Sequence, residues 1–152
     1  MTKHKLAYWI ASVVKIGQVP FAPGTAGSFV AMVMWYIIID YLNPYSFILI
    51  TLIIFAVGVY TSSIVVRHNN KSDPPQIVID EWIGQWITLF LLPKSILWGF
   101  IGFVYFRVFD ILKPGPVKLL DQMPGGWGIM LDDIAAGIFA FLLLQLSLVI
   151  FL

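Results

Sequence analysis

The feature that most constrains this chain is a succession of long apolar runs separated by short polar turns. The runs lie at 29–42, 46–66, 82–92, 95–106 and 134–152. Several approach the roughly 20 residues that a helix needs to cross about 30 Å of hydrocarbon. The chain is 60% hydrophobic and 11% charged, whereas about 25% of the residues of a typical soluble domain are charged. The pattern predicts an all-α, polytopic membrane helical bundle in which residues 1–152 form a single domain.

The turns divide this bundle into an N-terminal interfacial helix and about five spans. Residues 6–16 are short for a span and have lysines at both ends, which is typical of a helix that lies in the membrane interface. The segment 77–92 is also short, and the count falls to four spans if it is re-entrant. The predicted spans are 26–42, 46–66, 77–92, 96–112 and 133–152.

Two glycine-rich stretches are predicted to be irregular. The segment 17–28 contains two prolines and three glycines, which argues against a regular helix. Its Thr25 and Ser28 are placed to cap the helix that follows, and residues 24–28 either contact a phosphate or allow close packing. The second stretch, 125–128, lies in a predicted loop at 113–131. Its Gly126 belongs either to a flexible turn or to a group of backbone N–H donors for an anion.

The basic residues indicate how the bundle is oriented. With five spans, the N-terminal segment and the loops at 67–79 and 113–131 share one side, which carries seven of the nine lysines and arginines. The opposite side carries only Lys94. The positive-inside rule makes the basic side cytoplasmic. All acidic residues except Asp40 also lie at this end.

Five carboxylates from three segments are expected at a similar depth: Asp80, Glu81, Asp110, Asp132 and Asp133. A charged side chain in hydrocarbon costs about 2.5–3.5 kcal/mol, so a group of them needs a partner. Mg²⁺ or Mn²⁺ suits these hard oxygen ligands better than zinc does, since cysteine is absent and histidine is scarce. Mg²⁺ is commonly held by carboxylates together with substrate phosphate oxygens, which indicates phosphoryl-transfer chemistry.

Simpler interpretations of these residues remain open. Asp80 and Asp132 are also placed to cap helix N-termini, and Arg107 and Asp110, three residues apart, can form a plain ion pair. Capping explains neither the acidic doublets nor Asp110 at a helix C-terminus, where negative charge is unfavourable. In the functional interpretation, Arg107 binds a phosphate through its planar fork and Lys113 adds positive charge.

Other functional classes are less consistent with the sequence. The absence of cysteine excludes thiol nucleophiles, disulfides and thiolate metal sites, and a net charge of +1 gives no reason to expect nucleic acid as a partner. A cation channel or transporter with Mg²⁺ as cargo is the main alternative. It would need ionisable residues near the midplane, whereas these crowd one end. A scaffold would not need five clustered carboxylates. Oligomeric state is left open.

Four motifs together resemble the phosphatidylglycerophosphatase A family. They occur in the family's order and cover about residues 17–137, most of the chain. The motifs are Pro23-Gly24-Thr25-x-Gly27-Ser28, Asp80-Glu81-x-x-Gly84, Phe106-Arg107-x-Phe109-Asp110-x-x-Lys113-Pro114-x-Pro116 and Gly125-Gly126-x-Gly128-x-Met130-x-Asp132-Asp133-x-x-x-Gly137.

The resemblance implies a Mg²⁺-dependent enzyme of the bacterial inner membrane. Such an enzyme hydrolyses phosphatidylglycerophosphate to phosphatidylglycerol and phosphate, and the bias of the basic residues predicts that its active site faces the cytoplasm. Water activated by the metal is favoured as nucleophile over an aspartate that would form a covalent intermediate. The expected catalytic residues are the five carboxylates and Arg107, with the carboxylates as metal ligands. The expected substrate contacts are Arg107, Lys113, Thr25, Ser28 and Gly126.

Overall fold

The computed structural model describes residues 2–151, and over those residues the chain is all-helical, with no strand. This confirms the predicted fold class. Two 3₁₀ turns, Ile16–Gln18 and Ile39–Tyr41, interrupt the α-helices. The α-helices are α1 (Lys3–Ala11), α2 (Pro23–Ile38), α3 (Pro44–Asn69), α4 (Ile79–Thr88), α5 (Ile96–Leu112), α6 (Pro116–Asp121) and α7 (Gly126–Phe151).

The prediction of an irregular segment through Ser28 is wrong, because α2 begins at Pro23. Proline at the first helical position lacks only an N–H that would have no intrahelical acceptor. Gly27 lies where α2 approaches the chain before α4, and a Cβ there would come within 2.9 Å of the Val78 Cβ. Ser28 does not cap the helix, since its Oγ donates back to the carbonyl of Gly24 at 2.8 Å.

The last span begins earlier than predicted. Helix α7 starts at Gly126 rather than near residue 133, and the predicted loop at 113–131 also contains α6. Asp132 is therefore the seventh residue of α7. The capping interpretation of Asp132 is wrong, because a cap precedes the first helical residue.

Three helices are long and apolar enough to cross a membrane: α3, α7, and α2 with its 3₁₀ continuation to Tyr41. Helix length thus supports a helical membrane bundle without confirming the count of five spans. Helix α4, within the predicted span 77–92, has 10 residues and is about 15 Å long. That is about half of the hydrocarbon thickness.

The chain nevertheless passes from one end of the bundle to the other between Ile79 and Lys94. Lys94 pairs with Asp40, which follows the far end of α2. In the non-helical stretch after α4, Leu89 and Leu92 are buried whereas Leu91 is exposed, and the Nε2 of Gln145 in α7 donates to the carbonyl of Phe90 at 3.3 Å. Irregular backbone is tolerated at membrane depth where contacts with neighbouring helices satisfy its polar groups.

Helices α4 and α7 cross closely at Gly84 and Gly137. A Cβ on Gly137 would overlap the carbonyl of Gly84, and one on Gly84 would overlap the ring of Phe106. Small residues allow membrane helices to approach in this way. Asp80 and Asp133 each lie four residues, about one turn, before these glycines. The crossing therefore brings the two carboxylates together.

We expect Gly84→Ala to destabilise the bundle by about 1–3 kcal/mol, the usual cost of overpacking. A thermal melt of the purified protein in detergent measures this change. Gly99→Ala is the matched control, because a Cβ at Gly99 would meet Trp35 at an ordinary contact distance of 3.4 Å. Equal melting temperatures for the two variants would contradict the packing described here.

Candidate metal and phosphate site

A cavity of about 270 Å³ lies at the end of the bundle where α2 and α4 begin and α5 ends. Its walls also include residues from the loop before α4 and from the second turn of α7. All five carboxylates predicted from the sequence line it, together with both predicted cations. These seven side chains are Asp80, Glu81, Arg107, Asp110, Lys113, Asp132 and Asp133.

Three of the carboxylates form a compact group. One oxygen each from Asp80, Glu81 and Asp133 lies within 4.8 Å of the other two. Each of these residues also has a buried carboxylate oxygen without a hydrogen-bond partner. Asp80 is 8% exposed and Asp133 is 3% exposed. Buried charges of one sign are costly unless an opposite charge compensates them, so the donor set fits a hard divalent cation such as Mg²⁺.

The other two predicted carboxylates are held by cations. Arg107 Nη1 lies 2.6 Å from Asp110 Oδ2, so the ion pair considered from the sequence is present. Lys113 Nζ lies 2.7 Å from Asp132 Oδ2 and 2.5 Å from Asp121 Oδ1. The structure thus divides the five carboxylates into a group of three without cationic partners and two members of ion pairs.

Arg107 keeps donor capacity for a ligand in addition to its ion pair. Its Nη1 also donates to Ser28 Oγ at 3.4 Å, while its Nε is buried without a partner. A guanidinium offers five N–H donors. Gly24 makes room for this arrangement, since a Cβ there would overlap Glu81 Oε1 and lie 3.3 Å from Arg107 Nη1. Arg107 is therefore placed to bind an anion beside the carboxylate group.

Lys113 ends α5 in the left-handed conformation, with φ of 44°. Partial burial works to lower the pKa of Lys113, but hydrogen bonds to Asp121 and Asp132 outweigh it and raise the pKa above its usual value. The ammonium group therefore stays charged, and it supplies a second positive charge on the cavity wall.

Asp73, which was not predicted from the sequence as a site residue, also lines the cavity. Desolvation raises the pKa of its carboxyl, and Lys113 acts in the opposite direction. One sequence feature could have indicated Asp73: it lies directly before Pro74-Pro75. Pro74 is fully buried, so it holds this polar loop, and Asp73 with it, against the bundle.

Three predicted substrate contacts, Thr25, Ser28 and Gly126, are not among the residues of the cavity wall. The N–H of Gly126 donates to Ser63 Oγ at 3.1 Å, and a Cβ at Gly126 would overlap the carbonyl of Val59 in α3. This glycine serves helix packing, so the prediction that it binds an anion is corrected. Thr25 is half-buried in α2 and is not among the residues of the cavity wall.

Comparison with known proteins identifies the family. The family profile described as Phosphatidylglycerophosphatase A matches residues 9–148. The chain belongs to the phosphatidylglycerophosphatase A family. The identification made from the four motifs is thereby confirmed.

Relatives of this family member share a third or more of its residues. Phosphatidylglycerophosphatase A of Escherichia coli strain K12 is 39% identical over 137 residues, which cover 89% of this chain and 77% of the relative. The Haemophilus influenzae protein of the same name is 35% identical over 139 residues, 90% of this chain and 83% of the relative. A Bacteroides thetaiotaomicron protein named "Putative phosphatidylinositol-3-phosphatase" is 36% identical over 138 residues, 86% of each chain. No solved structure matches.

Membership in the phosphatidylglycerophosphatase A family makes the chain a phosphoric monoester hydrolase that acts on a lipid. The cavity suits that reaction chemically. Cationic side chains that can bind phosphate oxygens and a carboxylate group that can hold a metal ion line the same small space.

Proposed function

We propose that this chain is a Mg²⁺-dependent phosphatidylglycerophosphatase of the bacterial cytoplasmic membrane, with its active site facing the cytoplasm. It hydrolyses the terminal phosphate of phosphatidylglycerophosphate to give phosphatidylglycerol and phosphate. The observation that carries the proposal is the single cavity in which three carboxylates without cationic partners lie beside Arg107 and Lys113. The names of the E. coli and H. influenzae relatives support the choice of lipid.

In this proposal the unpartnered carboxylates, Asp80, Glu81 and Asp133, hold Mg²⁺. Mg²⁺ bound there would supply Lewis-acid polarisation of the phosphate oxygens. Arg107, oriented by Asp110 and Ser28, donates to the non-bridging phosphate oxygens.

The two cations have their main effect on the transition state. Fixed positive groups stabilise the charge that develops on the phosphoryl oxygens, and they are effective because they need no reorganisation during the reaction. Lys113 is held by Asp121 and Asp132 and is part of this fixed field. Water is the favoured nucleophile, because Asp110 and Asp132 are already engaged in ion pairs.

The choice of lipid is tested by comparing two substrates. Phosphatidylglycerophosphate and phosphatidylinositol 3-phosphate both carry a phosphate monoester, and relatives of this chain are named for each. We expect the purified protein in mixed micelles to release phosphate faster from phosphatidylglycerophosphate. Faster release from the inositol lipid would overturn the choice of lipid while leaving the phosphatase activity intact.

Removal of divalent cations should abolish phosphate release, and added Mg²⁺ should restore it, because the carboxylate group would lose the ion that it binds. A measurement independent of activity is the melting temperature, which Mg²⁺ should raise by binding the folded state. Thiol-modifying reagents are the matched control and should have no effect, since the chain contains no cysteine. Full activity in metal-free buffer would contradict the metal assignment.

Orientation is tested with a reporter fused after the last residue. The basic residues at the cavity end favour a cytoplasmic location for that end, and α7 leads away from it. We expect the reporter to lie in the periplasm. A cytoplasmic reporter would contradict this orientation.

A further inference from the structure

We propose that the groove between α2 and α5 binds an acyl chain of the lipid substrate. The groove has a volume of about 720 Å³ and opens on the outer surface of the bundle. This inference rests on the proposed function, because it assigns a subsite to the same lipid. The residues that define the groove are Phe29, Met32 and Val33 of α2 and Ile96, Leu97 and Phe100 of α5.

The position of the groove relative to the cavity supports this occupant. Helices α2 and α5 also border the cavity, at Gly24 and Arg107. Phe29 follows Gly24 by five residues and Phe100 precedes Arg107 by seven. At about 1.5 Å per residue, the groove begins roughly 8–10 Å from the cavity along the helix axes. The substrate must bridge a gap of this kind with its head group, since two glycerol units and a phosphodiester separate the terminal phosphate from the acyl chains.

A second apolar groove, lined by α3, α4 and α7, is a weaker candidate. It has a volume of about 400 Å³ and includes Ile48 and Ile87. The contact of Gly84 with Gly137 closes the space between α4 and α7 just below the carboxylate group, so no acyl chain can pass between these two helices to the cavity.

The boundary between α2 and α5 is less tightly closed. Below the cavity, Arg107 Nη1 contacts Ser28 Oγ at 3.4 Å. Farther along, Phe29 and Phe103 form an edge-to-face pair with ring centroids 6.0 Å apart. Phe29 is itself 47% exposed. Phe29 lines the groove at its end nearest the cavity, and the head group of a bound lipid would lie over this residue.

The groove would act by placing the substrate, not by adding hydrophobic free energy. Bilayer lipid is as apolar as the groove walls, so an acyl chain gains little from transfer alone. A chain seated between α2 and α5 would instead fix the depth and direction of its head group relative to Arg107. Misplacement of a reacting group by about 1 Å can cost on the order of 100-fold in rate.

The experiment compares tryptophan substitutions in the two grooves. Val33→Trp fills the α2–α5 groove, and Ile48→Trp fills the other; the wild-type side chains are 38% and 42% exposed. Phosphate release is measured on long-chain phosphatidylglycerophosphate and on a dihexanoyl analogue. We expect Val33→Trp to lower the ratio of kcat/KM for the long-chain substrate to that for the short-chain one by about tenfold or more. Ile48→Trp should leave this ratio unchanged.

An equal effect of Val33→Trp and Ile48→Trp on the ratio, or no effect of either, would overturn the proposal. Gly99→Leu provides a second filling variant with the same expected result, since a Cβ at Gly99 meets only ordinary contacts. If wild-type protein releases phosphate from neither substrate, the proposed function fails instead. The groove is then tested on wild-type protein with phosphatidylglycerophosphate that carries a diazirine in its acyl chain. Labelling concentrated on α2 and α5 supports the groove, and equal labelling of α3 overturns it.

Discussion

Asp133→Asn is expected to lower the rate of phosphate release by at least about 100-fold while the bundle remains folded. Loss of a residue that merely supports a metal ligand typically costs 10–100-fold, and Asp133 is assigned as a ligand itself. Asp133 is 3% exposed, and one of its carboxylate oxygens has no hydrogen-bond partner. The amide keeps the shape of the side chain but removes the negative charge that the ion requires.

Stability separates this loss of rate from misfolding. Without metal, Asp133→Asn removes repulsion among three clustered carboxylates, of which Asp80 and Asp133 are buried, so its melting temperature should equal or exceed that of the wild type. Added Mg²⁺ should raise the melting temperature of the wild type and have little effect on the variant. Asp40→Asn, at the opposite end of the bundle, is the control and should retain both responses. Near-normal rates for Asp80→Asn and Asp133→Asn together would remove the metal site from this cavity.

Arg107→Lys is expected to lower kcat/KM by about 100-fold, comparable to the loss of one fixed donor to a developing oxyanion. Lysine keeps the charge and can still pair with Asp110. It lacks the planar fork that binds two phosphate oxygens at once, and its single nitrogen cannot replace both Nη1, which makes the ion pair, and the unpartnered Nε. The measurement is steady-state phosphate release over a range of substrate concentrations.

Arg67→Lys is the matched control for this substitution. Arg67 lies in the last turn of α3 and outside the cavity, so the same chemical change there should leave kcat/KM within a factor of about two. If Arg107→Lys is equally mild, then Arg107 serves only the ion pair with Asp110, and phosphate binding must be assigned to Lys113 alone.

The helices could be predicted from sequence more reliably than their ends. Apolar length identifies a membrane helix because the bilayer fixes the length required, and α5 begins and ends as predicted. Proline and glycine misled the prediction at Pro23 and Gly126, where α2 and α7 begin. Membrane helices tolerate both residue types when a neighbouring helix approaches closely. Which helix approaches is decided by tertiary packing, so it cannot be predicted from a local sequence pattern.

For the site as well, the residue types could be predicted from the sequence, but the contacts between them could not. Burial cost alone predicts that the five carboxylates gather around a cation, and the structure does place them in one cavity. The sequence could not show which of them have cationic partners. Lys113 reaches Asp132 across 19 residues, and that pairing depends on how α5 ends and where α7 begins. Asp73 was missed because one acidic residue in a polar loop looks like an ordinary solvated side chain.

The crossing of α4 and α7 requires glycine at residues 84 and 137. It also requires a fixed number of residues between each glycine and the carboxylate that precedes it. Asp80 precedes Gly84 by the same four residues by which Asp133 precedes Gly137, so both carboxylates lie one turn from the contact. One residue inserted into either interval would rotate that carboxylate by about 100° around its helix axis and turn it away from its counterpart. An insertion of this kind keeps every proposed metal ligand and both glycines in the chain, but the shifted carboxylate no longer lies on the same side of its helix as the glycine contact. Such variants should therefore fold around the same crossing and lose the proposed metal site.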